Sequence, residues 1–359
     1  MDLNIFFSDL EERIDAAEED ALLKGWLDFA DLKINEGFFA ASRTPKAPKI
    51  DWNHLPINDA MKSDEGMVYQ QLFGISETLR RGGGEVLCLR SNFGTGIIPS
   101  MFGARIFEMP IETDTLPGSR PLQGGKEAVA AIVDAGKISF DSEFARRVFT
   151  VAETYLEYAE KYPKVKRFIS YYNPDLQGPL SLCEAIWGSE FYLDFYIDPE
   201  SIERALDFFT DVYIEFTRKW HKLCPTFDAE HSVEWGCMHR GGTIIRNDAA
   251  MNVSGDIYDE YAKPRDQRII SEFGGGVHFC GRGHHYVKHL SEIEGLTCIN
   301  MSQPDWNDMD IIYKHTVDKG LIIFGMPTEE VDRATGAGRL LRGRVHSGAS
   351  LAAWVGDED

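Results

Sequence analysis

Residues 274–306 read GGGVHFCGRGHHYVKHLSEIEGLTCINMSQPDW, and the punctuation of this stretch decides the fold. The three glycines release the chain from a helical segment ending near Phe273. Val277-His278-Phe279-Cys280 then forms a short strand that Gly281 stops. Residues two apart in a strand share a face. His278 and Cys280 therefore point the same way at the C-terminal end of the strand, where parallel barrels and open α/β sheets build their sites. One imidazole nitrogen and one thiolate make half of a zinc site, although a buried cysteine also serves as a small hydrophobe. A second strand over residues 295–300 follows a helical turn and brings Cys298 and Asn300 alongside. Asn300, with Arg282 in the loop just past Cys280, is a candidate to bind substrate. His284, His285 and His289 follow at helical spacing, and solvated helix positions account for them.

Composition narrows the function classes. The 359 residues are 43% hydrophobic and 26% charged, as in an ordinary globular protein. A formal net charge of -21 argues against nucleic acid, whose phosphates need a basic face, and against an anionic membrane surface. No apolar run reaches the length of a membrane span, and the opening residues carry no basic segment or cleavage site, so a cytoplasmic location is expected. The six cysteines, Cys88, Cys183, Cys224, Cys237, Cys280 and Cys298, lack the spacing of a disulfide framework.

Outward from the central stretch, apolar runs alternate with helical patterns. Residues 3–33 read as one or two amphipathic helices with an acidic outer face, and a proline-punctuated segment over 42–52 leads into the main domain. Helices are predicted near 64–81, 141–162 and 199–223, the last opening on Asp198-Pro199-Glu200. Strand-like runs lie at 82–90, 167–172, 226–235, 242–245, 277–280, 296–300, 321–325 and 343–346. Strand then helix, repeated, implies parallel strands joined by right-handed crossovers. The expected fold is α/β: an (α/β)8 TIM-type barrel over residues 42–359 with an N-terminal helical extension over 1–41.

Further candidates fall at strand ends. Arg90 and Asn92 flank the end of the strand at 82–90 and are placed to orient a ligand. Asp228, Glu230 and Glu234 alternate along one strand, giving it an acidic face, and Glu234 is a candidate general base or metal ligand. Asp248, just past the run ending at Arg246, is either a helix cap or an active-site carboxylate.

Read together, several stretches resemble the uroporphyrinogen decarboxylase superfamily. They are Gln177-Gly-Pro-Leu180, Asp198-Pro-Glu200, Asn247-Asp248 followed by Ser254 to Pro264, His278-Phe-Cys-Gly281 and Leu321 to Gly325. The resemblance spans residues 42 to 330 and implies an (α/β)8 barrel. Departures separate this chain from the decarboxylases themselves. No arginine-rich loop precedes Trp52, Ser91-Asn92 stands where their catalytic Ser-Asp pair is expected, and residues 179–188 lack the expected tyrosine. The zinc-dependent corrinoid and coenzyme M methyltransferases of the superfamily carry a His-x-Cys pair on a barrel strand, matched here by His278 and Cys280. That branch implies zinc as cofactor, a corrinoid carrier on a partner protein, and methyl transfer to a thiol. Its third ligand is a cysteine near the last strand. This chain has none after Cys298, so His346 is the expected substitute and Cys298 the alternative. A carboxy-lyase acting on a tetrapyrrole or another acid, with Asp248 near the reacting centre, and a ligand-binding barrel without catalysis are the competing expectations.

Overall fold

The computed structural model describes residues 1–348. Its first helix, α1 (Leu3–Arg13), is capped by Asp2, whose carboxylate accepts from the Asn4 backbone N–H, and it buries Leu3, Phe7 and Leu10 at helical spacing. The second, α2 (Ala16–Ala30), is capped by Asp15 and buries Leu22, Trp26 and Phe29. These helices are not an outer layer on a finished barrel. Residues of α1 enter the main core cluster, and Trp26 and Phe29 enter a second cluster with Ile244, Cys298, Ile322 and Phe324.

The strands are β1 (Cys88–Leu89), β2 (Ile106–Phe107), β3 (Gly118–Ser119), β4 (Ser170–Tyr171), β5 (His231–Glu234), β6 (Cys237–Arg240), β7 (Thr243–Arg246), β8 (Gly275–Phe279), β9 (Leu296–Met301), β10 (Ile322–Met326) and β11 (Val345–Ser347). The last five form one parallel sheet in the order β11-β10-β9-β8-β7, and β1 pairs parallel with β4. Parallel bridges from Gln177 to Arg246 and from Phe39 to His346 extend the two sides of the sheet. The alternation of parallel strands and helices matches the sequence expectation. Among the described residues, however, the ladders do not run continuously round eight strands.

Two local readings need correcting. The run at 226–235 is not a strand followed by a crossover helix: β5 and β6 form an antiparallel hairpin, closed by Trp235 and Gly236 with φ of 51° and 75°. A two-residue turn with both φ positive matches the twist of the flanking strands. Gly236 adopts that conformation freely, whereas Trp235 adopts it at a steric cost. The glycines before Val277 do more than release the chain. Gly275 and Gly276 already belong to β8, and a Cβ on Gly275 would lie 1.9 Å from the Thr243 carbonyl oxygen, while one on Gly276 would lie 2.4 Å from that of Cys298. Bare backbone is what lets β7, β8 and β9 sit in register there.

The N-terminal segment is tied down by charge as well as by apolar packing. Arg43 grips Glu19 through two bonds of 2.7 Å, both side chains are buried, and the same guanidinium donates to the Gly83 and Glu85 carbonyls. Removing one partner of such a pair strands the other charge in the interior at a cost of roughly 3 to 5 kcal/mol. Glu19→Ala is expected to lower unfolding free energy by about that amount in urea titrations. A loss below about 1 kcal/mol, the level of a surface pair, would contradict this account of how the segment is held.

Candidate metal centre

Register across three strands assembles the site. Arg246 of β7, His278 of β8 and Asn300 of β9 stand side by side. Asn300 Nδ2 donates to the Phe324 carbonyl at 2.7 Å, which fixes the amide and turns Oδ1 toward His278 Nδ1 at 2.6 Å. A carbonyl oxygen only accepts, so Nδ1 carries a proton, and Nε2 is the nitrogen left to take a metal. That nitrogen lies 3.4 Å from Cys280 Sγ and 3.6 Å from Asp248 Oδ1. The Cys280 backbone N–H holds the same Asp248 oxygen at 2.9 Å.

The donor atoms of Asp248, His278 and Cys280 all lie within 4.8 Å of one another. Two ligands on one tetrahedral zinc, with bonds of about 2.0 to 2.3 Å, stand roughly 3.3 to 3.8 Å apart. The two separations from His278 Nε2 fit one zinc in spacing, and the three donors fit it in kind. A thiolate, a carboxylate and a neutral imidazole balance a divalent charge, and three protein ligands leave a fourth position open. Without a cation the thiol stays protonated, because burial, with the Asp248 carboxylate beside it, pushes Cys280 up to about 12. Beyond the strand, Gln303 accepts from the Gly281 N–H and Asn307 from those of Gly283 and His284, pinning the loop that follows Cys280.

The structure brings His278, Cys280 and Asp248 together, with Asn300 as the orienting partner rather than a ligand or a substrate contact. It does not bring in His346. That imidazole packs against Trp26 with ring centroids 4.5 Å apart and against Phe39 at 5.7 Å, and its Nδ1 accepts from the Gly325 N–H. The N-terminal extension fills the space around it, and burial lowers its pKa to about 3. Cys298 does not join either. It pairs with Gly276, two residues before His278 along the strand, and belongs to the second core cluster. Glu234 is fully buried and holds a structural place, accepting from Asn173 Nδ2, the Ile244 N–H and Arg246 Nη2. Burial raises its pKa despite the Arg246 charge. Arg282 is exposed on the loop.

Beside the metal donors runs a network that the sequence reading missed in part. Arg90 Nε donates to Asn92 at 2.9 Å, and Arg90 and Arg246 flank Asp175 at 3.5 and 3.3 Å. Burial alone would raise the Asp175 pKa, but the two guanidinium groups hold it below the usual carboxylate range. Trp235, at the hairpin tip, stacks on Arg246 at 4.6 Å and stands 5.1 Å from the His278 ring. An arginine closing the apolar run at 243–246 was the available signal for Arg246. Nothing in the sequence placed Trp235 here.

No known family's sequence profile matches this chain, and no curated protein matches it by sequence. In fold it is similar to a methyltransferase from Methanosarcina mazei, with a TM-score of 0.58 at 13% identity, over 90% of this chain and 91% of that one. The likeness is one of fold. It runs through most of both chains.

Asp266 braces the turn that carries Asp248. Its Oδ2 accepts from Asn247 Nδ2 and from the Tyr258 hydroxyl, both at 2.7 Å, while the Asn247 backbone N–H donates to the His278 carbonyl. Burial outweighs these bonds and raises its pKa to about 7. Between the unfolded value near 4 and that folded value, the native state binds the extra proton, so this group's contribution makes stability fall as pH rises and levels off above about 7. Asp266→Asn is expected to gain roughly 2 to 3 kcal/mol relative to the parent between pH 5 and 8 in denaturant titrations. Parallel pH profiles for the two proteins would contradict the assignment.

Proposed function

We propose that the protein is a zinc-dependent methyltransferase that moves a methyl group between a corrinoid carrier, held on a partner protein, and a thiol acceptor. The observation that carries this reading is the group of three donors, His278 Nε2, Cys280 Sγ and Asp248 Oδ1, whose kinds and spacing suit one zinc. The fold likeness to a methyltransferase and the His-x-Cys resemblance support it. Zinc bound there would supply Lewis acidity that lowers the pKa of an acceptor thiol. Asn300 keeps the His278 lone pair aimed at the group, and losing such an orienting bond typically costs ten- to a hundredfold in metal affinity or activity. Arg90, which bonds Asn92, and Trp235, which stands beside the His278 ring, would orient the acceptor.

The test is thiol-dependent demethylation of methylcobalamin by protein carrying a measured amount of zinc. The parent is expected to bind about one zinc per chain, as a three-ligand catalytic site should, and to demethylate only when a thiol is present. Cys280→Ala is expected to retain less than about a tenth of an equivalent of zinc and to lose the activity, while His346→Leu keeps both. Parent protein that binds no zinc, or zinc-loaded protein inert with every thiol, would refute the proposal.

A further inference from the structure

We infer that Ser302 is a positioning residue of the zinc centre just proposed, on which this role rests: its hydroxyl donates to the Cys280 sulfur, so that the acceptor's sulfur and not that of Cys280 takes the methyl group.

The β8–β9 register places it. Ser302 follows the last residue of β9, and its backbone N–H donates to the Phe279 carbonyl at 3.3 Å, one step past the final pair of the ladder, Phe279 with Met301. Two positions earlier the same register sets Asn300 beside His278. Residues two apart share a face, so Ser302 meets Cys280 as Asn300 meets His278. Ser302 Oγ lies 3.4 Å from Cys280 Sγ, and among the described residues that sulfur is the one hydrogen-bond partner of the hydroxyl.

The state of the sulfur decides which atom donates. While Cys280 is a thiol, either can. A metal-bound thiolate has no proton to give, so in the loaded centre the serine is the donor. A hydrogen bond to an ionised acceptor is about twice as strong as one between neutral groups, and it draws charge off the sulfur. Whatever lowers a thiolate's basicity lowers its intrinsic nucleophilicity. During methyl transfer the zinc would hold two thiolates, one from the chain and one from the acceptor, and methylating the first would take a ligand from the metal. Burial does not shield it: Cys280 is partly exposed, whereas Cys88, Cys183, Cys224, Cys237 and Cys298 are buried. The hydroxyl therefore marks the chain's own sulfur as the weaker nucleophile.

Iodomethane is the probe, applied to full-length protein at full zinc occupancy without any acceptor thiol, and methylation of Cys280 is followed by peptide mass spectrometry. The sulfur lone pair forms the S–C bond as the C–I bond breaks and iodide leaves. Ser302→Ala is expected to methylate at Cys280 about tenfold faster than the parent, the kinetic share of a hydrogen bond to a charged group. Ser302→Thr, which keeps the hydroxyl, should react at the parent rate. Cobalt(II) in place of zinc supplies a signature that looser packing would not move. Its thiolate-to-metal charge-transfer band should lie at longer wavelength in Ser302→Ala than in the parent and return in Ser302→Thr. Either an equal rate or an unmoved band overturns the role of Ser302 and leaves the zinc reading standing, whereas parent protein that takes up neither metal overturns both.

Discussion

The hydrogen bond between Asn300 and His278 is the contact on which the metal-centre account depends. It joins neighbouring strands, so it exists only because β8 and β9 are in register, and that register in turn needs the bare backbone of Gly275 and Gly276 between Thr243 and Cys298. From it follow the tautomer of His278, the direction of its free lone pair, and the convergence of that lone pair with Cys280 and Asp248. A shift of one residue in β9 would turn Asn300 to the other face and leave the imidazole free to rotate.

Much of this was legible in the sequence because strand periodicity is local. The two-residue spacing of His278 and Cys280 placed them on one face, Asn300 fell alongside on the next strand, and Asp248 followed a strand end. What was not legible was depth and company. His346 satisfied every local criterion for a third ligand, yet Trp26, Phe29 and Phe39 close around it. Packing of a segment some three hundred residues away leaves no trace in the pattern around Val345. The β5–β6 hairpin escaped for a different reason. Its turn is Trp235-Gly236 rather than the Asn-Gly or Asp-Gly that signals such a turn, so the run read as one strand.

That hairpin gives the interior its electrostatic structure. It carries Glu234 to Arg246 and Asn173, and it stands Trp235 between Arg246 and His278. The positive φ of Trp235 is backbone strain of the kind that concentrates at functional sites. Asn173 also donates to the Gly242 carbonyl at 2.9 Å and is engaged with His221. One hydrogen-bonded chain, Asn173 to Glu234 to Arg246, therefore runs to the side of the candidate metal donors.

The zinc-edge X-ray absorption spectrum of the loaded protein tests the central claim most directly, because it counts ligands by element. A centre built from His278, Cys280 and Asp248 predicts one sulfur at about 2.3 Å, two or three nitrogen or oxygen neighbours at about 2.0 to 2.2 Å, and scattering from a single imidazole. Two sulfurs would bring Cys298 or another thiol into the shell, and two imidazoles would bring in His346 or another histidine. Either result would contradict the ligand set derived from the register of β8 and β9.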